Sequence, residues 1–486
     1  MTETTKKPFK LNIKRTLLIG FAFFGILLLW QVYDSYCPTF LTELFVNAKY
    51  PDFADLSIAE QNLLRENVQY LVGVIMALDN LAALILLPIF GKLSDKTHSK
   101  IGKRMPYILV GTFVCAVVFP FIPLLVHYQQ IVGTIVAMGV VILFAMMYRN
   151  PAVALMPDIT PKPLRSKANG IINIMGYIGG ALATVAGLVF VVSDYYGTTM
   201  KDGVLKEFTW AHGNLWAIET PFIIASIFML VSALVLFFTI KENKVAEEMK
   251  DEMVRGELEA EVVDEVKEES LTKANKFMLI VILIAEFFWF MADNGISTFF
   301  VEYTRQFLGA SSSSAMVSTI VSGVGSVLGF AIGGIIASKL TRKWTLISGL
   351  GITLFGYALW SILTFTIPGL KGSGSFPLWL TIIWFIKGFG MSLVHVNSFP
   401  MVVELCPNSK IGAYTGYYYA SSMAAQTITP VLLGLLLLTE GFKWEFVSVY
   451  AFVCLAISFA IFFLVKNVKN RKTDFKKGLE ALGQDD

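Results

Sequence analysis

Seven ionisable side chains lie deep within long apolar segments of this 486-residue sequence. An ionised group in the hydrocarbon core of a membrane costs about 2.5–3.5 kcal/mol on insertion scales, so such residues commonly serve in binding or proton relay. We therefore expect them to face a water-filled cavity, where they could bind a polar solute or exchange a proton. These residues are Asp34, Asp79, Arg149, Glu286, Asp293, Lys387 and His395.

Asp34 stands between two tyrosines, Tyr33 and Tyr36. A carboxylate accepts hydrogen bonds from sugar hydroxyls, and aromatic rings offer flat apolar faces to a sugar ring. This group therefore favours sugar binding, with a structural acid paired to an interior base as the alternative. Asp79 precedes Asn80 in an apolar run. Because burial favours the protonated form of a carboxyl group, Asp79 is a candidate proton carrier and Asp34 is a second.

The second half of the chain has a similar set of groups. Glu286 and Asp293 are seven residues apart and share one helical face. We expect them to pair with Lys387 or His395 and to take part in proton coupling. Trp289 could stack on a sugar ring, although aromatic residues in membrane helices are more often packing or interfacial anchors. Further candidate substrate contacts are Asn294, Lys387 and Asn397.

Three other charged residues lie near the ends of the apolar segments. They are Glu302, Arg305 and Glu404. Long charged side chains near a helix end can extend to the headgroups, so we predict that these three snorkel rather than pack inside the protein.

The composition indicates a helical membrane protein. Of the residues, 55% are hydrophobic and 15% charged, whereas a soluble protein has about a quarter charged residues. A membrane-spanning helix needs about 20 apolar residues. We predict twelve such helices, at approximately 14–46, 67–91, 105–127, 130–156, 166–193, 214–240, 276–306, 313–338, 344–367, 377–405, 410–438 and 444–466.

Charge and repeats predict how these helices are organised. Lys and Arg concentrate in the segments that share a side with the N-terminus, so we expect a cell-membrane protein with both termini in the cytoplasm. We expect no cleavable signal peptide. Residues 241–275 form a charged stretch that we interpret as a solvated cytoplasmic linker, with a regulatory site as the alternative. It separates residues 1–240 from residues 276–486, which we predict to form two six-helix bundles with similar motifs at corresponding positions. Two such halves predict a binding site at their interface, reached from alternate sides.

The basic loop between the second and third predicted helices resembles a loop of the major facilitator superfamily. Six residues separate its Asp from the glycine and basic pair, and a proline follows, as in the sugar:cation symporters (the glycoside–pentoside–hexuronide group) and the sucrose-transporter-like proteins. The resemblance implies an all-α membrane fold of two pseudo-symmetric bundles, in which this loop acts as a gate. The motif residues are Gly91, Asp95, Gly102, Lys103 and Arg104, followed by Pro106.

Other segments resemble the melibiose permease group of that family. Asp34 matches a sugar-binding Asp, and Asn294 matches an Asn of helix 7. The two cation-binding acids expected on helix 2 align with Ala83 and Leu87, so the resemblance implies H⁺ rather than Na⁺ as the coupling ion.

The fourth predicted helix follows the same pattern with two changes. Arg149 takes the place of an Asp, and Val153 takes that of a Trp. Asn173 lies near the place of a sugar-binding Arg. Our hypothesis is that Arg149, beside Asn150, binds sugar hydroxyls and pairs with Asp34 or Asp79. The alternative is a static ion pair between helices.

These observations predict proton-coupled import of a di- or oligosaccharide such as sucrose or an α-glucoside. The alternatives are an exporter of drugs or metabolites with the same fold and a membrane sensor on a transporter scaffold. We find no catalytic motif and no metal-binding spacing, so we expect no enzyme activity and no cofactor beyond the coupling ion. The expected partners are the sugar and the lipid bilayer, without nucleic acid, and we expect a monomer.

Overall fold

A computed structural model gives the fold for residues 9–53, 56–161, 164–196, 198–201, 204–207, 214–264, 273–405 and 411–465. The described part of the chain is almost entirely helical, with one short antiparallel hairpin. Its elements are α1 (Ile13–Lys49), α2 (Ile58–Glu66), α3 (Gln69–Lys96), α4 (Met105–Val118), α5 (Phe121–His127), α6 (Ile131–Asp158), α7 (Arg165–Val189), α8 (Ser193–Tyr196), β1 (Thr198–Lys201), β2 (Val204–Glu207), α9 (Leu215–Thr239), α10 (Glu242–Asp264), α11 (Lys273–Glu302), a π-helical turn (Tyr303–Phe307), α12 (Ser312–Leu340), α13 (Arg342–Thr366), α14 (Leu378–Leu405), α15 (Ile411–Leu437) and α16 (Phe446–Phe462).

The apolar segments form long helices at the predicted places. By length and composition, ten described helices could cross a membrane, and two shorter apolar helical segments, Ile174–Val189 and Phe446–Phe462, lie in α7 and α16. The count of twelve spans stays a prediction. The third predicted helix is divided into α4 and α5 at Pro120, because proline cannot donate the backbone hydrogen bond that would continue α4.

Buried apolar side chains form two large clusters, one before and one after α10. The first runs from Ile19 to Ile240 and the second from Met278 to Val465. We refer to these parts as the N-terminal half and the C-terminal half. They meet where α3 packs on α15 and where α7 packs on α12.

Two glycines allow α3 and α15 to approach closely. Gly73 of α3 lies against the Pro430 carbonyl, and Gly434 of α15 lies against the Gln69 carbonyl. A side chain at either position would overlap with backbone atoms, so glycine permits this backbone-to-backbone crossing.

The charged linker forms a helix, α10, but its first turn is not solvated as predicted. Glu242 is buried, and its carboxylate accepts hydrogen bonds of 2.9–3.1 Å from the backbone N–H groups of Lys103, Arg104 and Met105. These donors precede or begin α4 and have no partners within that helix, so Glu242 caps α4 from a distant part of the chain.

Candidate functional site

The motif loop lies at one end of the helical bundle, which we call the basic end (residues 92–104). Arg104 is buried there, and its Nε donates to Asp158 Oδ2 at 2.8 Å. Its other nitrogens bind Asp95 and Ser94. Burial acts to lower the pKa of Arg104, but Asp158 and Asp95 outweigh that effect and the pKa is raised. Arg104 thus remains charged and fastens the loop to α3 and α6.

The gating role that the resemblance implies for the motif residues stays a prediction. In this conformation Asp95 pairs with Arg104 of its own half. Lys103 also stays within that half, with Nζ 3.0 Å from Asp158 Oδ2. Gly102 has φ +118° and lies against Glu242, so it provides a backbone conformation and a contact that a side chain would disturb.

Asp34 opens onto accessible space from the middle of α1. It is exposed, although its neighbours Val32, Tyr33, Ser35 and Tyr36 are buried. This burial pattern places only the Asp34 side of the helix toward an opening at this level.

Asp79 faces the protein interior and interacts electrostatically with Asp34. On α3 it shares a helical stripe with the buried residues Val72, Met76 and Ala83. The structure therefore brings together the two carboxylates that the sequence identified on different helices.

The two tyrosines do not line an open sugar site in this conformation. Tyr33 is completely buried and lies beside Asp79. Tyr36 is also buried, and its hydroxyl donates to the Phe190 carbonyl at 2.5 Å. Neither ring presents a free face to a substrate, because both pack into the wall around α1.

Arg149 does not form the ion pair that we expected with Asp34 or Asp79. It is half-buried on α6, and among the described residues none accepts a hydrogen bond from its guanidinium and no acidic group lies within 4.0 Å. Asn150 has a structural contact instead, since its Nδ2 donates to the Leu87 carbonyl at 2.6 Å.

Asn173 belongs to α7, but its side chain lies outside the described part of the structure. The predicted role of this residue in substrate binding therefore stays a prediction.

In the C-terminal half, the expected pairing of α11 with α14 is observed. Lys387 Nζ lies 2.6 Å from Asp293 Oδ1, and both side chains are partly exposed. His395 interacts electrostatically with both residues, and its ring is 5.6 Å from that of Phe290. The arrangement combines an accessible ion pair with an aromatic surface.

Other predicted contacts of the C-terminal half lie in its core. Trp289 and Glu286 are fully buried, so neither reaches an open site in this conformation. Asn397 is buried and its Nδ2 donates to the Leu393 carbonyl of the same helix at 2.9 Å. Asn294 is half-buried, and its Oδ1 has no hydrogen-bond partner among the described residues.

The end of the bundle opposite the motif loop, which we call the far end, holds a charged cluster that the sequence reasoning missed. We predicted that Glu302 and Arg305 snorkel, and this was wrong because Glu302 is buried and the side chain of Arg305, only 9% exposed, binds it. Arg305 lies in the π-helical turn, with Nη1 2.8 Å from Glu302 Oε1 and Nη2 3.2 Å from Glu43 Oε1. Glu43 also receives two hydrogen bonds from Arg65, of 2.9 and 3.2 Å.

Further contacts complete the far-end cluster. Thr39 and Gln306 both donate to Glu302. A second ion pair between the halves joins Lys443 Nζ and Glu66 Oε2 at 2.6 Å. The signal in the sequence was the opposite charges of Glu302 and Arg305, which are one helical turn apart. The side chain of Glu404, the third residue that we expected to snorkel, lies outside the described part.

Among the described residues, the ion pairs that connect the two halves lie at this far end. The described ion pairs of the motif loop stay within the N-terminal half. The far end is therefore the closed side of the interface between the halves.

Comparison with known proteins identifies the family. A sequence model of the Major Facilitator Superfamily matches residues 57–370 and 282–483. The chain belongs to this superfamily of membrane transporters, and its relatives are transporters rather than enzymes. A probable metabolite transport protein of Bacillus subtilis (strain 168), CsbC, is 24% identical over 409 residues, which cover 80% of this chain and 83% of that protein.

Solved structures share the fold at low sequence identity. The inward-open xylose transporter XylE from E. coli has a TM-score of 0.62 at 15% identity, covering 97% of this chain and 98% of the other. A D-xylose–proton symporter has a TM-score of 0.63 at 17% identity, and the match covers 95% of this chain and 98% of the symporter. A bacterial homologue of the lysosomal transporter Spinster, inward-facing and occupied, gives 0.60 at 15%, covering 94% and 97%.

Proposed function

We propose that this chain is a proton-coupled symporter that imports a di- or oligosaccharide such as sucrose or an α-glucoside. The observation that carries the proposal is a set of charges inside membrane-spanning helices without structural ion pairs. Among the described residues, Asp34 and Asp79 have no basic partner within 4.0 Å, and Arg149 has no acidic one. Such costly groups are expected to serve the transported solute or ion.

The chemistry of these groups suits a sugar. Carboxylates accept hydrogen bonds from hydroxyls, and a guanidinium donates several in a fixed geometry. In this proposal Asp34 and Arg149 bind hydroxyls from the N-terminal half, while Asp293 and Lys387 approach from the other. The names of two proteins with this fold, a xylose transporter and a D-xylose–proton symporter, are in keeping with a sugar and a proton.

The finer family assignment is part of the same proposal. The loop from Gly91 to Pro106 supports placement in the glycoside–pentoside–hexuronide or sucrose-transporter-like group. Ala83 and Leu87 align with two cation-binding acids of the melibiose permease group, and the absence of acids at these two positions supports H⁺ rather than Na⁺ as the coupling ion.

Alternating access would operate as follows. If the basic end is cytoplasmic, as its Lys and Arg content favours, the closed far end corresponds to an inward-facing state in the cell membrane. In the outward-facing state a carboxylate binds a proton and the site binds the sugar. The loaded transporter then changes to the inward-facing state, and the proton and sugar leave on the cytoplasmic side. The far-end ion pairs must break and re-form in each cycle.

The test is uptake of labelled sucrose and maltose by the purified protein in proteoliposomes, with pH and Na⁺ gradients imposed separately. We expect accumulation when the lumen is alkaline and no effect of a Na⁺ gradient at fixed pH. Uptake that requires Na⁺ would refute H⁺ as the coupling ion. Efflux of an apolar drug without sugar uptake would favour the exporter.

The variant Arg149→Lys tests the binding group in the same assay. It keeps the charge but loses the planar donor fork, so we expect a raised KM for sugar. Lys244→Gln, which changes an exposed residue of α10, is the control. Normal uptake by Arg149→Lys would contradict the proposed role.

A further inference from the structure

The Tyr33 hydroxyl is a buried polar group on a ring that packs in the core of the N-terminal half. The residue is completely buried, and its hydroxyl has no hydrogen-bond partner among the described residues. It lies beside the Asp79 carboxylate, with which it interacts electrostatically. A hydroxyl held away from water costs free energy unless it is hydrogen-bonded. An ionised Asp79 is the acceptor that would satisfy it.

Asp79 also faces a second carboxylate. Asp34 interacts with it electrostatically across the contact of α1 with α3. Two carboxylates at one site disfavour double ionisation, so such pairs tend to share a proton.

Among the described residues, the helices around the two acids supply no cation within 4.0 Å of either carboxylate. α3 packs against α1, α6 and α15. The α15 segment Tyr417–Leu437 contains no charged residue, and Arg149 of α6 lies more than 4.0 Å from both carboxylates. Apart from groups at the helix ends, the titratable or charged groups on these helices are Tyr33, Asp34, Tyr36 and Cys37 of α1, Tyr148 and Arg149 of α6, and Tyr417, Tyr418 and Tyr419 of the described part of α15. The helix of Asp34 also packs on α7, α9 and α11. Their described titratable or charged groups include Arg165, Tyr177, Glu219, Glu286, Asp293 and Glu302.

The two acids differ in their access to solvent. Asp34 is exposed, whereas Asp79 is half-buried on the stripe that faces the protein. Asp34 is the more accessible of the two and is therefore the acid placed to exchange a proton with cavity water.

We infer that Asp34 and Asp79 share one coupling proton, that Asp34 exchanges it with the cavity, and that Tyr33 is a positioning residue whose hydroxyl donates to Asp79. The proton comes from water on one side of the membrane, forms an O–H bond with the carboxylate pair, and returns to water on the other side. No other reactant is needed. The inference rests on the proposed proton-coupled function and assigns the coupling step within it.

The first experiment compares Tyr33→Phe with Tyr36→Phe in proton-driven uptake of labelled sugar across a range of pH. Loss of the Tyr33 hydroxyl removes a hydrogen bond to an ionised carboxylate, so the pair keeps its proton to higher pH. We expect the alkaline limb of uptake to move up by about one pH unit. Tyr36→Phe removes an equally buried hydroxyl that bonds to Phe190 and should leave the pH profile unchanged.

A merely structural role for Tyr33 would lower the maximal rate without moving the pH profile. Equal profiles for Tyr33→Phe, Tyr36→Phe and the unmodified protein would therefore overturn the inference. Sugar uptake that a pH gradient does not drive at all would instead overturn the proposed function.

The second experiment needs no substrate. Infrared difference spectra of the purified protein record the carboxyl C=O band as pH is raised. If the acids share a proton, Asp34→Asn removes the neighbouring negative charge and moves the titration of the remaining Asp79 band to lower pH. If they are independent, Asp34→Asn deletes one band and leaves the other at its original pH, which would overturn the shared proton.

Discussion

The Arg305 guanidinium lies 3.2 Å, at Nη2, from Glu43 Oε1, and this buried ion pair connects the C-terminal half with the N-terminal half. The same guanidinium binds Glu302 through Nη1. Arg305 lies in a π-helical turn at the end of α11. Such turns are rare and frequently occur at functional sites. Arg305 is therefore the central residue of the far-end closure.

Arg305→Lys should open the far end. Lysine keeps the charge but cannot donate to both acids in the fork geometry, and weakening a buried pair of this kind costs up to about 3 kcal/mol. Spin labels at Asp52 and Lys371, two exposed far-end positions, should show a longer distance population by pulsed electron resonance. The control is Lys49→Gln, an exposed charge at the same end. An unchanged distance distribution in Arg305→Lys would contradict a closing role.

The pair of Lys443 with Glu66 should contribute less to the same closure. Lys443 is partly exposed, so we expect Lys443→Gln to shift the closed state by about 1 kcal/mol. The charge swap Glu66→Lys with Lys443→Glu should recover the distance distribution of the unmodified protein. If the distance distribution of the swapped protein changes by the sum of the changes in the two single variants, the two residues do not act as a pair.

Arg104 should stabilise the basic end of the N-terminal half. Arg104→Lys cannot reach Asp158, Asp95 and Ser94 together, so we expect a loss of about 2 kcal/mol, since bonds to charged groups contribute about 1.5–3 kcal/mol each. Thermal unfolding of the detergent-solubilised protein measures the effect. Lys103→Gln changes a more exposed partner of the same Asp158 and should cost less than 1 kcal/mol. Equal melting temperatures for both variants would argue against a buried anchor.

The ion pair of Asp293 with Lys387 gives a prediction that separates stability from transport. Asp293→Asn or Lys387→Met alone leaves one partly buried charge without its partner, so each should lower both stability and uptake, by about 3 kcal/mol for stability. The double variant leaves no isolated charge and should recover most of the stability. Its uptake should remain low if the pair takes part in transport. Recovery of uptake in the double variant would identify the pair as structural.

The sequence by itself determined the all-helical membrane architecture and the superfamily. Long apolar segments such as residues 14–46 specify helices because the membrane requires internal backbone hydrogen bonding over about 20 residues. The loop around Asp95 and Gly102 carries its signal in a few adjacent positions. The sequence also identified Asp34, Asp79, Asp293 and Lys387 as candidate functional residues, because a charged residue within an apolar run is easily recognised.

Only the tertiary structure decided which of these groups meet. It brings Asp34 near Asp79, leaves Arg149 without the predicted acid, and pairs Arg305, for which we had predicted a snorkelling side chain, with Glu43. It also buries the Tyr36 side chain against neighbouring helices, where its hydroxyl donates to the Phe190 carbonyl. The physical reason is that such contacts depend on the rotation and tilt of helices far apart in the chain. A transporter must also hold alternative pairings of similar free energy, so local sequence patterns cannot specify the one present in a given state.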